Sequence, residues 1–333
     1  MTSAPTLVVY GNTHYDVIAE YDHMPRANDR MVPKAITLAP GGMGGNVAAA
    51  FSRLGGNSRF IGPFSDDDDG HAGRADLERD GVDISWARTG HAATRGLILV
   101  DGNGERAIVG YYRPGMGDLP RSTGQSLDGV IEMARRSYPS NPIQLPQDAF
   151  AGPVSGFYCP FNFAPDLLPQ VPDSLPVMVD MEAVHLTGLN TPTVLGAIER
   201  ASVLFANQRS LARLTEFLDV RDPAGIVART RTTIVETLGA EGCRIHAIED
   251  VINVPGYPVQ ARDTTGAGDC FAAALSLRYL ADDNWLQAGT FACQAAAHSV
   301  QALGSRPGIP DRAFTDAFVT YSQGAHGRKV AVS

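Results

Sequence analysis

Short apolar runs separated by helix-like stretches recur along most of the chain, and that alternation restricts the fold more than any other feature. TLVVYG, SRFIGPF, VMVDM, SVLFAN and TTIVETLG read as strands that are apolar throughout rather than at every second residue. Between and after them stand GNVAAAFSRLGG, a stretch around Asp76 and the run that follows Asp269, all with helical character. A strand with no polar face has to be covered on both faces, and helices between successive strands supply the cover. The expectation is an α/β protein on a mostly parallel sheet. The chain shows no internal repeat and no low-complexity tail, and its 333 residues suit one large or two ordinary domains.

Two early segments break the alternation. Residues 14–38 and 94–114 read as period-two strands with turn signals, Asp101-Gly102-Asn103-Gly104 marking a hairpin. They predict two antiparallel pairs in a small sheet standing off the main one, as a lid does. The Pro-rich stretch from Ser137 to Pro153 reads as a long surface excursion.

A net charge of −9 and a pI near 5.3 argue against a nucleic-acid surface, which shows a basic stripe. No segment approaches the ~20 apolar residues of a membrane span, and MTSAPTLVVYGN runs into its first strand without the pattern of a secretory leader. The cysteines at 159, 243, 270 and 293 lack C-x-x-C or Cys/His ligand spacing, so reduced thiols in a cytoplasmic protein are expected, with no zinc site. Asp66 to Asp69 lie between an apolar strand and a helix-like segment, where a solvated loop capping that helix is expected.

Two glycine-rich turns carry the chemistry. In RDTTGAGDCF, Gly266, Ala267 and Gly268 lead into an aspartate, Asp269, at the start of a helix. Glycines let successive N–H groups converge into an anion nest, and a helix N-terminus adds positive potential. A carboxylate there sits beside whatever anion the nest binds, which is where phosphoryl transfer needs a base. In PGGMGGNVAAAF, glycines precede Asn46 at the start of an Ala-rich helix, suiting close approach of a polyhydroxylated substrate to backbone. Neither turn is a Walker motif, and no G-x-G-x-x-G follows the first strand, which disfavours a dinucleotide oxidoreductase.

In this order the two turns resemble those of the ribokinase-like, PfkB-type sugar and nucleoside kinases, over nearly the whole chain. GNTHYD is similar to the family's first strand and substrate aspartate, GGMGGN to its sugar-binding loop, and DTTGAGDCF to its signature. TLGAEG resembles the nucleotide-contacting strand and turn, and AAAHSVQALGS the helix and loop over adenine. The resemblance implies a single domain over residues 1–333, a three-layer α/β/α sandwich with a β lid, and a kinase using ATP and Mg²⁺. It assigns Asp269 as base with Gly266, Ala267 and Gly268 as the phosphate nest. Asn12, His14, Asp16, Gly41, Gly42 and Asn46 fall to the substrate, and Asn207, Thr237, Gly239, Gly242, Thr265 and Gly304 to the nucleotide. It also implies a homodimer formed through the lid and, from the segment Val300 to Gly308, a site for a monovalent cation such as K⁺.

The chain departs from the pattern in three places. The Asn-x-x-Glu motif that organises magnesium has Asn207 but Ser210 in place of Glu, leaving Glu236 as another charge donor or a plain strand-edge residue. His14 stands where ribokinases carry Asn, and GFYCPFNF has Cys159 where they have an acidic residue, which weighs against ribose itself. Tyr111, Tyr112, Phe161 and Phe163 are candidates for a flat wall against a base, or for core and lid packing. The expected function is ATP-dependent phosphorylation of a hydroxyl on a small sugar or sugar acid. A nucleoside is the alternative acceptor, and a non-catalytic sugar or nucleotide sensor the alternative class.

Overall fold

Strand β1 (Thr6–Tyr10) shows how the apolar runs are used. Leu7 and Val9 enter one hydrophobic cluster while Val8 and Tyr10 enter another, as successive side chains of a strand buried on both faces must. The computed structural model describes residues 4–90, 94–112, 143–281 and 284–326. Its main sheet joins β1 to β4 (Asn57–Ile61), β9 (Gly156–Pro160), β10 (Val177–Met181), β11 (Val203–Asn207), β12 (Thr233–Thr237), β13 (Gly242–His246) and β14 (Val251–Pro255). The order is β14-β13-β12-β11-β10-β9-β1-β4. The pairs from β12 to β4 are parallel, and β13 and β14 add an antiparallel edge.

Helices cover both faces, giving the three-layer sandwich. The Leu7 side carries α1 (Met43–Arg53), α2 (Asp68–Arg79), α7 (Ala267–Tyr279), α8 (Trp285–Ser299) and α9 (Arg312–His326). The Val8 side carries α3 (Ala164–Leu167), α4 (Thr191–Arg200), α5 (Gln208–Phe217) and α6 (Pro223–Thr230). The Asp66–Asp69 run caps α2 as expected: Asp67 accepts from Gly70 N, and Asp68 and Asp69 fill the first turn.

The lid is one sheet, β3 (Ala35–Gly41), β2 (His14–Glu20), β7 (Thr94–Val100) and β8 (Arg106–Tyr112), in that order. Its two hairpins are antiparallel as expected, but β2 and β7 pair in parallel and fuse them, which local turn signals do not reveal. On the inner face Ile18, Ala39, Ile98 and Val100 pack on the body through Leu303. On the outer face the register aligns Leu38, Val17, Leu97 and Val109 in a row. Strands β5 (Pro63–Ser65) and β6 (Arg88–Gly90) form a separate parallel pair. Residues 113–114 of the expected lid lie outside the described residues, as do residues 137–142 of the Pro-rich stretch. The rest of that stretch is more than a surface excursion: Ala149 is buried, and Ile143, Leu145 and Phe150 pack against the core. All four cysteines are free and buried.

Candidate active site

The carboxyl ends of parallel strands β10, β11 and β12, the start of α7 and the inner face of the lid converge on one cavity of about 360 Å³. That end of a parallel sheet is where α/β folds place ligands, and the volume suits a small molecule.

Gly266 occupies the left-handed region at φ 76° and opens α7, so the backbone turns there as an L side chain resists doing. A Cβ at Gly266 would also stand 2.5 Å from Ser305 Cβ. Asp263, fully buried, holds the turn. Its Oδ1 accepts from Thr265 N at 2.8 Å, and its Oδ2 from Gly304 N at 2.8 Å, tying the nest to the loop after α8. Thr265 Oγ1 is buried without a hydrogen-bond partner among the described residues. Asp269 is the third residue of α7 and accepts from Asn46 Nδ2 at 2.7 Å. Burial pushes its pKa up to about 7; the bond from Asn46 opposes that rise, the Glu182 charge adds to it, and Arg106 and Arg306 oppose it.

At the other end of the cavity lie Asn12, His14 and Asp16. Asp16 Oδ1 accepts from Gly96 N at 2.7 Å and stands 3.1 Å from His14 Nε2. Both glycines around this carboxylate are required by space: a Cβ at Gly41 would lie 2.0 Å from Asp16 Oδ2, and one at Gly96 2.6 Å from Oδ1. His14 Nδ1 is buried with no hydrogen-bond partner among the described residues.

Of the residues expected from sequence, Asn12, His14, Asp16, Gly42, Asn46, Asn207, Thr237, Thr265, Gly266, Gly268 and Asp269 line this cavity together. Gly41, Ala267, Gly239, Gly242 and Gly304 are not among its lining residues. Asn46, besides lining the cavity, is held by bonds within the protein. Its Nδ2 serves Asp269, and its Oδ1 faces Arg306 Nε at 3.0 Å and Ser305 Oγ at 3.1 Å. Phe161 and Phe163 are core residues, Phe163 packed edge-on against Tyr10, and form no wall for a base. The side chains of Tyr111 and Tyr112 lie outside what is described. Glu236 is neither a cavity carboxylate nor solvent-facing: it is buried against His246 Nε2 at 3.0 Å and Arg244 Nη1 at 3.3 Å. Ser210 is buried too, its Oγ accepting from Ala183 N at 3.0 Å, while Asn207 caps α5 by accepting from Ser210 N at 2.8 Å.

Four charged residues at or behind this cavity escaped the sequence reading. Asp180, at the end of β10, accepts from Tyr158 Oη at 3.2 Å, and burial together with the nearby Asp269 and Glu182 charges holds its carboxyl well above the usual range. Glu182 lines the wall two residues on; it is exposed to solvent, and partial loss of hydration raises its carboxyl against the opposing charge of Arg106. Arg106 reaches down from β8 to donate to Thr264 Oγ1, bringing a lid cation to the nest. Arg306 is buried behind Asn46. Only Asp180 left a local trace, a carboxylate one residue before the end of the otherwise apolar VMVDM.

The comparisons with known proteins agree with this geometry. The pattern of the pfkB family carbohydrate kinases matches residues 4–128 and 184–312. The ATP-dependent ribose-1-phosphate kinase of Halopiger xanaduensis is 29% identical over 306 residues, covering 89% of this chain and 92% of that one. The ribokinase of Bacillus subtilis is 24% identical, covering 92% and 96%. In three dimensions the nucleoside kinase of Methanocaldococcus jannaschii superposes with a TM-score of 0.75 at 17% identity, over 96% of this chain and 99% of that one. A glycine turn leading into Asp269 at a cavity under a β lid, and a family pattern matched over residues 4–128 and 184–312, lead to one conclusion: the chain belongs to the pfkB family of carbohydrate kinases.

Proposed function

We propose that the protein transfers the γ-phosphate of ATP to a hydroxyl of a small sugar or sugar acid. The observation that carries this reading is Asp269, set beside the nest of Gly266, Ala267 and Gly268 and across one cavity from His14 and Asp16. With other hydroxyls of the substrate held by Asp16 and Asn12, its reacting hydroxyl gives its proton to Asp269 as its oxygen bonds to the γ-phosphorus. The bond to the bridging oxygen breaks and ADP leaves, with the nest amides stabilising the charge in transit. A base with a pKa near neutrality suits that proton transfer. The lid, closed by Arg106, excludes the water that would otherwise compete as acceptor.

The donor set fits magnesium carried on nucleotide phosphates. Such an ion needs only one or two protein carboxylates, and Glu182 and Asp180 offer them from the cavity wall. Ser210 offers nothing, its hydroxyl being bound to Ala183. When bound, the ion neutralises phosphate charge. For a monovalent cation, turnover in potassium against sodium buffer tests what the Val300–Gly308 loop implies.

Sugar is favoured over nucleoside because the aromatics of the cavity wall are Phe205 and Phe271, with Phe161 and Phe163 in the core. The exposed apolar residues Ile36, Leu38 and Val109 on the lid's outer face, each more than half exposed, support a homodimer formed through the lid.

The test is ADP release from Mg-ATP across pentoses, hexoses, sugar acids and nucleosides, run in parallel with Asp269→Asn. Turnover on one class is expected, reduced by several orders of magnitude in the variant with nucleotide binding kept. Equal rates in the two proteins sink the assigned base, and nucleotide binding with a silent panel favours the sensor.

A further inference from the structure

Arg306 heads the fully buried side chains by volume among the described residues, 1% exposed, with no carboxylate there at ion-pair distance and its Nη1 buried without a hydrogen-bond partner. A buried guanidinium without a carboxylate partner is costly, so its bonds have to explain its presence. Nε donates to Asn46 Oδ1 at 3.0 Å, and Nη2 to Thr13 Oγ1 at 2.9 Å and Gly41 O at 3.1 Å. The backbone of Arg306 is held in turn, Arg53 Nη1 donating to its carbonyl at 2.7 Å.

The Asn46 amide has two orientations, and only one donates to Asp269. Ser305 Oγ lies near Asn46 Oδ1, but its single proton has a shorter acceptor in Pro40 O at 2.7 Å. That leaves Arg306 Nε as the donor that keeps Oδ1 on its own side and turns Nδ2 toward Asp269 Oδ2. We propose that Arg306 is a positioning residue of the phosphotransfer: it locks the Asn46 amide in the orientation that donates to Asp269 and so aims the base into the cavity. This rests on the kinase reading above. The same guanidinium holds Thr13 and Gly41, where the chain enters β2 and leaves β3, so one side chain references both the base and the root of the lid. The charged groups around this pair are Asp180, Glu182 and Arg106 on the Asp269 side, and Asp76, Asp80, Tyr15 and Arg53 on the Arg306 side.

A double-mutant cycle of Arg306→Lys and Asn46→Ala tests the proposal, because lysine keeps the charge and loses the fork. Each single variant is expected to lower kcat about 10- to 100-fold with both KM values within about twofold. The double variant is expected to fall no lower than the worse single. Multiplicative losses, or a wild-type kcat in Arg306→Lys, overturn it. A second readout needs no substrate: ¹³C NMR titration of the Asp269 carboxyl, whose midpoint rises in both single variants as the Asn46 donation is lost. An unchanged midpoint in Arg306→Lys overturns the proposal, whereas absence of turnover in the wild type on every acceptor overturns the kinase reading alone. If Arg306→Lys does not fold, Asn46→Asp decides: it keeps an acceptor for Arg306 but sets one against Asp269, and an unmoved midpoint overturns the proposal.

Discussion

Replacing Asp263 by Asn tests whether the glycine turn before Asp269, the proposed phosphate nest, is held by one buried carboxylate. In the native chain its two oxygens each accept a backbone N–H at 2.8 Å, from Thr265 and from Gly304. Hydrogen bonds to a charged group contribute about 1.5–3 kcal/mol each, and an amide left without an acceptor in the interior costs about 1–3 kcal/mol. Asparagine satisfies one amide with a neutral acceptor and points its NH₂ at the other. The loss is therefore about 3–4 kcal/mol. For a chain of this length the unfolding entropy is about 0.7 kcal/mol/K, so the melting temperature drops by about 5 °C. Because Thr265 is next to Gly266, the nest loosens with it. Calorimetry and steady-state kinetics on Asp263→Asn are expected to show the melting shift. They are also expected to show a fall in kcat of at least about tenfold with little change in sugar KM. A variant that melts and turns over like the wild type refutes the reasoning.

Asp269 has to be ionised to take a proton and its pKa is raised to about 7, so kcat should fall about tenfold per pH unit below neutrality; a limb placed near pH 4 in the pH profile contradicts this. Gly41→Ala sets a Cβ against Asp16 Oδ2 and forces that carboxylate aside, so sugar KM should rise about tenfold or more while ATP KM stays put; an unchanged sugar KM in steady-state assays rejects Asp16 as a substrate contact. Glu182→Gln should raise the Mg²⁺ concentration needed for half-maximal rate about tenfold with the melting temperature kept, and an unshifted Mg²⁺ titration removes Glu182 from the metal's surroundings.

The sequence by itself determined the features whose physical cause is local. Runs apolar at every position have to be covered on both faces, so a parallel sheet between helix layers followed from TLVVYG, VMVDM and SVLFAN without any knowledge of which strands pair. Gly266 to Asp269 was equally legible, since a left-handed turn, a row of amides and a carboxylate at a helix start are all set within a few residues. The tertiary structure alone decided what depends on pairing across long stretches of chain. The parallel join of β2 and β7 carries no turn signal, which is why the lid read as two hairpins. Arg106 sat in an ordinary hairpin until that join brought β8 over the nest. Asp180 and Glu182 became cavity carboxylates because β10 ends beside α7. Arg306 lay in a loop read for its backbone, and only burial against Asn46 showed what its side chain holds. Spacing along the chain records what neighbours in sequence can do together, whereas the electrostatics of this site arise between residues that only the sheet order makes neighbours.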